Sequence, residues 1–188
     1  MERYEDAECL YLRSLKIHEQ QLGNDCIDLV PSLNKLADLY RLLQRYEEAE
    51  PLYTTALTLC ERHLTPDCPY TARCRDNLAN LYYDTSRFTD AELQLVNALR
   101  SYERQLGEEH PQTAQGLNNL ASLYYRTEDY ERAEPLYIKA LKIYERQMGP
   151  EHHYTAQGAN NLAVLYYKIG AMRRQNTVCT GASDQTAA

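Results

Sequence analysis

The chain has 188 residues, 25% of them charged and 44% hydrophobic, with a formal net charge of −7. The acidic balance argues against a general nucleic-acid or anionic-membrane binder, because both need a dominant positive field. No apolar run approaches the roughly 20 residues of a membrane helix, and no charged segment followed by an apolar one opens the chain as a secretory signal would, so a cytoplasmic protein is expected.

In chain order, residues 4–22 place Tyr4, Ala7, Leu10, Tyr11, Leu15 and Leu22 at the three- and four-residue steps of one helix face, and Gly23 supplies the stop. After the loop at 24–27, a helix is predicted over 28–43, with Pro31 near its start, where a missing N–H costs little. The polar turn Gln44-Arg45 leads into a helix over 46–63. The same alternation predicts helices over 70–85, 88–106, 112–127, 130–148 and 154–169. Gly107 and Gly149 stand at the stop position, while Thr65 replaces the glycine there. Residues 171–188 have no period and are expected to form a disordered tail.

This alternation is a repeat. Tyr4-Glu5-Asp6-Ala7-Glu8 returns as Tyr46-Glu47-Glu48-Ala49-Glu50, Phe88-Thr89-Asp90-Ala91-Glu92 and Tyr130-Glu131-Arg132-Ala133-Glu134, each 42 residues after the last. The unit is a helix A, a tight turn, a helix B and a loop. One pair cannot bury its apolar face alone, so the pairs must stack into a continuous core. Ala37, Ala79, Ala121 and Ala163 on helix A, and Ala49, Ala91 and Ala133 on helix B, permit close approach. The expected architecture is an all-α solenoid of stacked antiparallel helix pairs over residues 1–170. It consists of a half repeat at 4–22, repeats at about 28–63, 70–106 and 112–148, and a terminal half repeat at 154–169. The abrupt loss of register at both ends suggests a fragment or truncated isoform of a longer array, with uncapped ends open to self-association.

Leu117, Leu120, Ala121, Tyr124, Ala133, Tyr137 and Ala140 resemble the tetratricopeptide repeat, and the likeness extends over residues 4–170. Arg75 and Ala159 depart from it at the large apolar position, and in helix B Leu95 replaces the Tyr and Ser14 the Ala. The period exceeds the common one of about 34 residues. Glu19, Glu61, Glu103 and Glu145 stand where that unit has its helix-ending proline, so helix B continues for about two further turns of about 3.6 residues each. The long unit is similar to the repeats of kinesin light chains and nephrocystin-type proteins. That resemblance implies a right-handed superhelix whose concave face, lined by A helices, binds an extended peptide.

On that implication, the candidate binding residues are the A-helix positions not committed to packing: Asn34, Lys35, Arg41, Asn77, Asn80, Tyr83, Asn118, Asn119, Tyr125, Arg126, Asn160, Asn161, Tyr167 and Lys168. Asparagine is a poor helix-interior residue, and an amide that both donates and accepts can pair with the backbone of any extended ligand. The alternative is that these amides bond neighbouring helices. Tyr83, Tyr125 and Tyr167 fall on the side of helix A predicted to be exposed, where an amphipathic ring suits ligand contact. Six bases face four acids in the A windows, whereas the B windows sum to −5. This favours a ligand with acidic residues. The resemblance to kinesin light chains adds an aromatic anchor among them.

Neither a cofactor nor a metal is expected. His110 and His152 hold one position in successive repeats, with no further His or Cys to complete a tetrahedral set. The six cysteines have irregular spacing and are read as free thiols. The chain contains no nucleophile elbow, phosphate loop or metalloprotease motif, so an enzyme is not expected. A protein- or peptide-binding adaptor is the leading expectation, and a structural solenoid that stacks through its ends is the second.

Overall fold

The structure is a computed structural model that describes residues 2–181, with side chains described over 3–172. It contains α1 (Glu2–Leu22), a single 3-10 turn at Ile27–Leu29, α2 (Val30–Leu42), α3 (Tyr46–His63), α4 (Pro69–Asp84), α5 (Phe88–Leu106), α6 (Pro111–Arg126), α7 (Tyr130–Met148) and α8 (His153–Gly181). No strand occurs among the described residues. The protein is therefore all-α, with A helices (α2, α4, α6, α8) alternating with B helices (α1, α3, α5, α7).

Two compact units divide the chain, Met1–Gly116 and Leu117–Ala188. In the first, α1 packs on α2, α2 on α3, α3 on α4 and α4 on α5. Its core interleaves Leu33, Leu36, Tyr53, Leu57, Leu78 and Leu81 with Ala37, Ala49 and Ala56, none more than 8% exposed. Each alanine lets a neighbouring helix approach where a larger side chain would hold it off. In the second unit α7 packs on α8, and Ala121, Ala133 and Ala140 are fully buried. Ala163, at the matching position of α8, is exposed, and no B helix among the described residues follows to cover it.

The turns from A to B are built without glycine. Gln44, Ser86 and Glu128 each adopt a left-handed backbone, with φ of 59°, 59° and 63°. The cost of that conformation is offset by a helix-closing bond from the residue after each, in which the amides of Arg45, Arg87 and Asp129 donate to the carbonyls of Tyr40, Tyr82 and Tyr124 at 2.8 Å. The turns from B to A do use glycine: Gly23, Gly107 and Gly149 have φ of 79°, 89° and 89°. Thr65 cannot adopt this backbone cheaply, and α3 ends at His63 with Leu64 extended, one repeat position earlier than α5 and α7.

The predicted end of the last helix needs correction. α8 does not stop at 169 but runs to Gly181. Ala171, Met172, Arg173, Arg174 and Gln175 are good helix formers, so backbone propensity carries the helix where the repeat pattern has ended. The remainder of the expected tail, 182–188, lies outside the described residues.

Candidate functional site: the A-helix face

In the first unit most of the predicted ligand groups already have internal partners. Arg41 donates to Asp84 at 2.6 Å, an ion pair between α2 and α4 in which both side chains are about 30% exposed. Although burial alone would lower it, the Asp84 carboxylate holds the Arg41 guanidinium above its ordinary pKa. Lys35 lies 4.0 Å from Asp38, and Asp38 also accepts the Tyr53 hydroxyl at 2.6 Å. The Asn34 side-chain nitrogen donates to Cys74 Sγ at 3.6 Å, while its Oδ1 is buried without a partner. Tyr83 is half-buried, edge-on to Phe88 at 6.3 Å. Asn77 is half-buried and Asn80 exposed. Asn80 stands at the repeat position of Asp38, but Leu95 occupies the B-helix position of Tyr53, so no phenol reaches it.

In the second unit two of the A-helix bonds are neutral. Asn161 donates to Asn118 Oδ1 at 2.8 Å, from α8 to α6, and Asn118 is only 6% exposed. For this pair the internal role of the amides is the one observed. Asn119 is half-buried and is not free either. Tyr137 donates to Ser122 Oγ at 3.0 Å, matching Tyr53 and Asp38 two repeats earlier. Tyr125 packs against Tyr130 at 5.8 Å. Tyr83 and Tyr125, predicted to be exposed, are thus each half-covered by the aromatic that opens the following B helix. Tyr167 has no such cover and is 77% exposed. Arg126, Asn160 and Lys168 are exposed, and among the described residues neither cation makes an ion pair.

Several sequence departures find their reason here. Arg75, at a large apolar position, donates to the Pro66 carbonyl at 3.0 Å and to Glu61 at 2.9 Å. The histidines cap helices: His110 Nδ1 accepts from the Gln112 amide at 3.1 Å, and His152 Nδ1 from the Tyr154 amide at 3.2 Å. No group of three or more His, Cys, Asp or Glu among the described residues is placed to hold a metal ion. No described helix is long and apolar enough to cross a membrane.

Helix pairs that recur with a 42-residue period in each unit define a helical-repeat protein. The tetratricopeptide repeat model matches residues 1–62, 28–104, 94–144 and 112–173, and the chain belongs to the tetratricopeptide repeat family. A similar solved structure is BtubC (BKLC) from P. vanneervenii, 29% identical over 89% of this chain with a TM-score of 0.74; the present chain spans 66% of its length. Kinesin light chain-like repeats from Podospora anserina share the fold at 19% identity and a TM-score of 0.76, over 96% of this chain and 85% of that one. A Rap protein in complex with Competence and Sporulation Factor shares it at 18% identity and 0.67, over 92% and 48%. No curated protein matches the chain.

Proposed function

We propose that the protein is a protein- or peptide-binding adaptor whose ligand is an extended, acidic segment with an aromatic anchor, held on the A-helix face of the second unit. The observation that carries this reading is the set Arg126, Asn160, Tyr167 and Lys168, exposed together on α6 and α8 while the amides beside them are bonded internally. Two uncompensated cations attract carboxylates, Tyr167 offers a ring face, and Asn160 offers a donor and an acceptor. In the first unit Asp84 neutralises Arg41, so that face has less to offer an acidic ligand. Membership of the tetratricopeptide repeat family supports a protein or peptide partner.

The chain contains no tryptophan, so a peptide carrying one Trp among acidic residues reports its own binding. A saturable blue shift of its emission, weakened at least tenfold by Arg126→Glu/Lys168→Glu with helicity unchanged, is the expected result. An affinity unaffected by that reversal of charge would refute the assignment.

A second reading, stacking of copies through their ends, rests on one contrast. Tyr166 is 47% exposed where, of its repeat equivalents, Tyr40 and Tyr124 are 7% exposed and Tyr82 is half-buried, and on α1 Tyr4 is 52% and Leu10 63% exposed. A bare A helix and a bare B helix are complementary in kind. Light scattering that grows with concentration and is abolished by Tyr166→Glu would support stacking, and a monomer at all concentrations would exclude it.

A further inference from the structure

One junction between repeats is chemically unlike the others. Where a B helix meets the next A helix, one pair of equivalent positions comes into contact at each junction. Between α1 and α2 it is His18 and Ser32, hydrogen-bonded at 3.2 Å. Tyr102 and Gly116 fill it next, the ring lying 3.2 Å from where a Cβ on the glycine would stand, and Tyr144 and Gly158 do the same at 3.5 Å. Each is a large residue against a small one. Between α3 and α4 the pair is Cys60 and Cys74, with the sulfurs 3.4 Å apart. The two thiols are 0% and 1% exposed. Packing at this junction is met elsewhere by pairs without sulfur, so packing alone does not call for two thiols in contact.

We propose that Cys60 and Cys74 form a redox-active dithiol that a peroxide oxidises to an internal disulfide, stapling α3 to α4. The sulfurs already face each other at 3.4 Å, and a disulfide at about 2.05 Å brings them about 1.4 Å nearer. Asn34 also donates to Cys74 Sγ, at 3.6 Å. Cys74 is the attacking sulfur. Hydrogen bonding from Cys60, with Asn34 and the charges of Arg73 and Arg75 adding to it, draws its pKa down to about 7, whereas the shared proton pushes Cys60 up. Of the two thiols, Cys74 is therefore the one more readily deprotonated. Its thiolate takes one oxygen of the peroxide to give a sulfenic acid and hydroxide, which combines with the proton Cys74 has released. Cys60 then attacks that sulfur, giving up its own proton, and a second water leaves. Two thiols are oxidised and one peroxide is reduced to two waters. Asn34, already short of a partner at Oδ1, then faces a disulfide sulfur in place of the thiolate it had stabilised.

The test treats the full chain with hydrogen peroxide at neutral pH, counts thiols after denaturation and maps linked peptides by mass spectrometry without reduction. The expected outcome is a fall of two from the six thiols, with Cys60 joined to Cys74. In Cys60→Ser the sulfenic acid on Cys74 should persist and be trapped by dimedone. Links that join either sulfur to the half-buried Cys68, or oxidation of exposed Cys9 before any Cys60–Cys74 link forms, would overturn the proposal. The mapping uses the unmodified chain, so its outcome holds even if the variant does not fold.

Discussion

The two units carry one repeat in one register, yet they use the polar groups of their A helices differently. In the first, carboxylates take the partners: Asp84 pairs with Arg41, and Asp38 with Lys35 and the Tyr53 phenol. In the second the corresponding bonds are neutral, Asn161 to Asn118 and Tyr137 to Ser122, and Arg126 and Lys168 remain exposed. The repeat therefore fixes where an A-helix side chain sits. For Arg41 the acid that occupies it, Asp84, stands on the next A helix. Asp38 and Asp84 occupy the first unit's face, and Ser122, Val164, Arg126 and Lys168 stand at those positions in the second.

Strong alkali should produce the largest effect and act on both units. Burial raises the phenols of Tyr53 and Tyr102 in the first unit and Tyr144 in the second; the Asp38 and Asp76 carboxylates add to the shift in the first two. A group whose folded pKa lies above its unfolded value of about 10 contributes stability that is complete below that pH and is lost as pH rises through the folded value. Tyrosinate absorbance should rise in two stages, exposed phenols first, with the second stage coinciding with loss of helical circular dichroism. A single stage near pH 10 with helicity intact would contradict the burial of these rings.

Removing single hydroxyls sharpens the contrast between units. Tyr53→Phe deletes a bond to a carboxylate and Tyr137→Phe a bond to a hydroxyl. Bonds to charged groups contribute about 1.5–3 kcal/mol and neutral ones about 0.5–1.5. The Asp38 side chain is 40% exposed, which places the first cost near the bottom of its range. Denaturant unfolding should show a loss of about 1.5 kcal/mol for Tyr53→Phe against about 0.7 kcal/mol for Tyr137→Phe. Equal losses would mean that the charge on Asp38 is fully screened.

How much of this could be read from the chain alone depends on whether a feature repeats. The helix order, the alanines at the helix contacts and the glycine stops all recur at one step and were legible. The left-handed turns at Gln44, Ser86 and Glu128 were not, because no glycine marks them and their cost is met by a backbone bond that any residue can make. The extension of α8 has no periodic signal, only propensity. At the site, the amides stand out in the sequence but their use does not. Arg41 with Asp84 and Asn118 with Asn161 are both 43 residues apart, one repeat plus one residue, and complementary side chains at that offset are the signal that marks both pairs. The contact of Cys60 with Cys74 is invisible in the spacing of cysteines along the chain and shows only when the two positions are aligned across repeats.

Gly116 and Gly158 hold equivalent positions, and a helix-interior glycine costs roughly 0.5–1 kcal/mol relative to alanine. A Cβ on Gly158 would meet Leu141 and Tyr144 at 3.5 Å, an ordinary contact, so Gly158→Ala should raise stability by about that amount. On Gly116 it would meet the Tyr102 ring at 3.2 Å, and that ring is pinned by its hydroxyl bond to Asp76 at 2.8 Å. Gly116→Ala should therefore forfeit most of the gain. A rise in melting temperature as large for Gly116→Ala would show that Tyr102 yields despite its bond.

The smallest expected effect bears most directly on the difference between the units. Asp84→Ala leaves Arg41 without its ion-pair partner while leaving the other A-helix residues as they are. If internal charge pairing is what keeps the first unit from serving an acidic ligand, the variant should bind an acidic, Trp-containing peptide more strongly than the unaltered chain. One exposed charge interaction is worth about 0.2–1 kcal/mol, or up to about fivefold in affinity, and the gain should shrink as salt rises. The double variant Asp84→Ala/Arg41→Ala separates the released cation from mere removal of a negative charge. It should lose the gain if Arg41 is responsible and keep it if the loss of Asp84 alone suffices. An unchanged affinity in the single variant would place the distinction between the two units in backbone geometry rather than in charge.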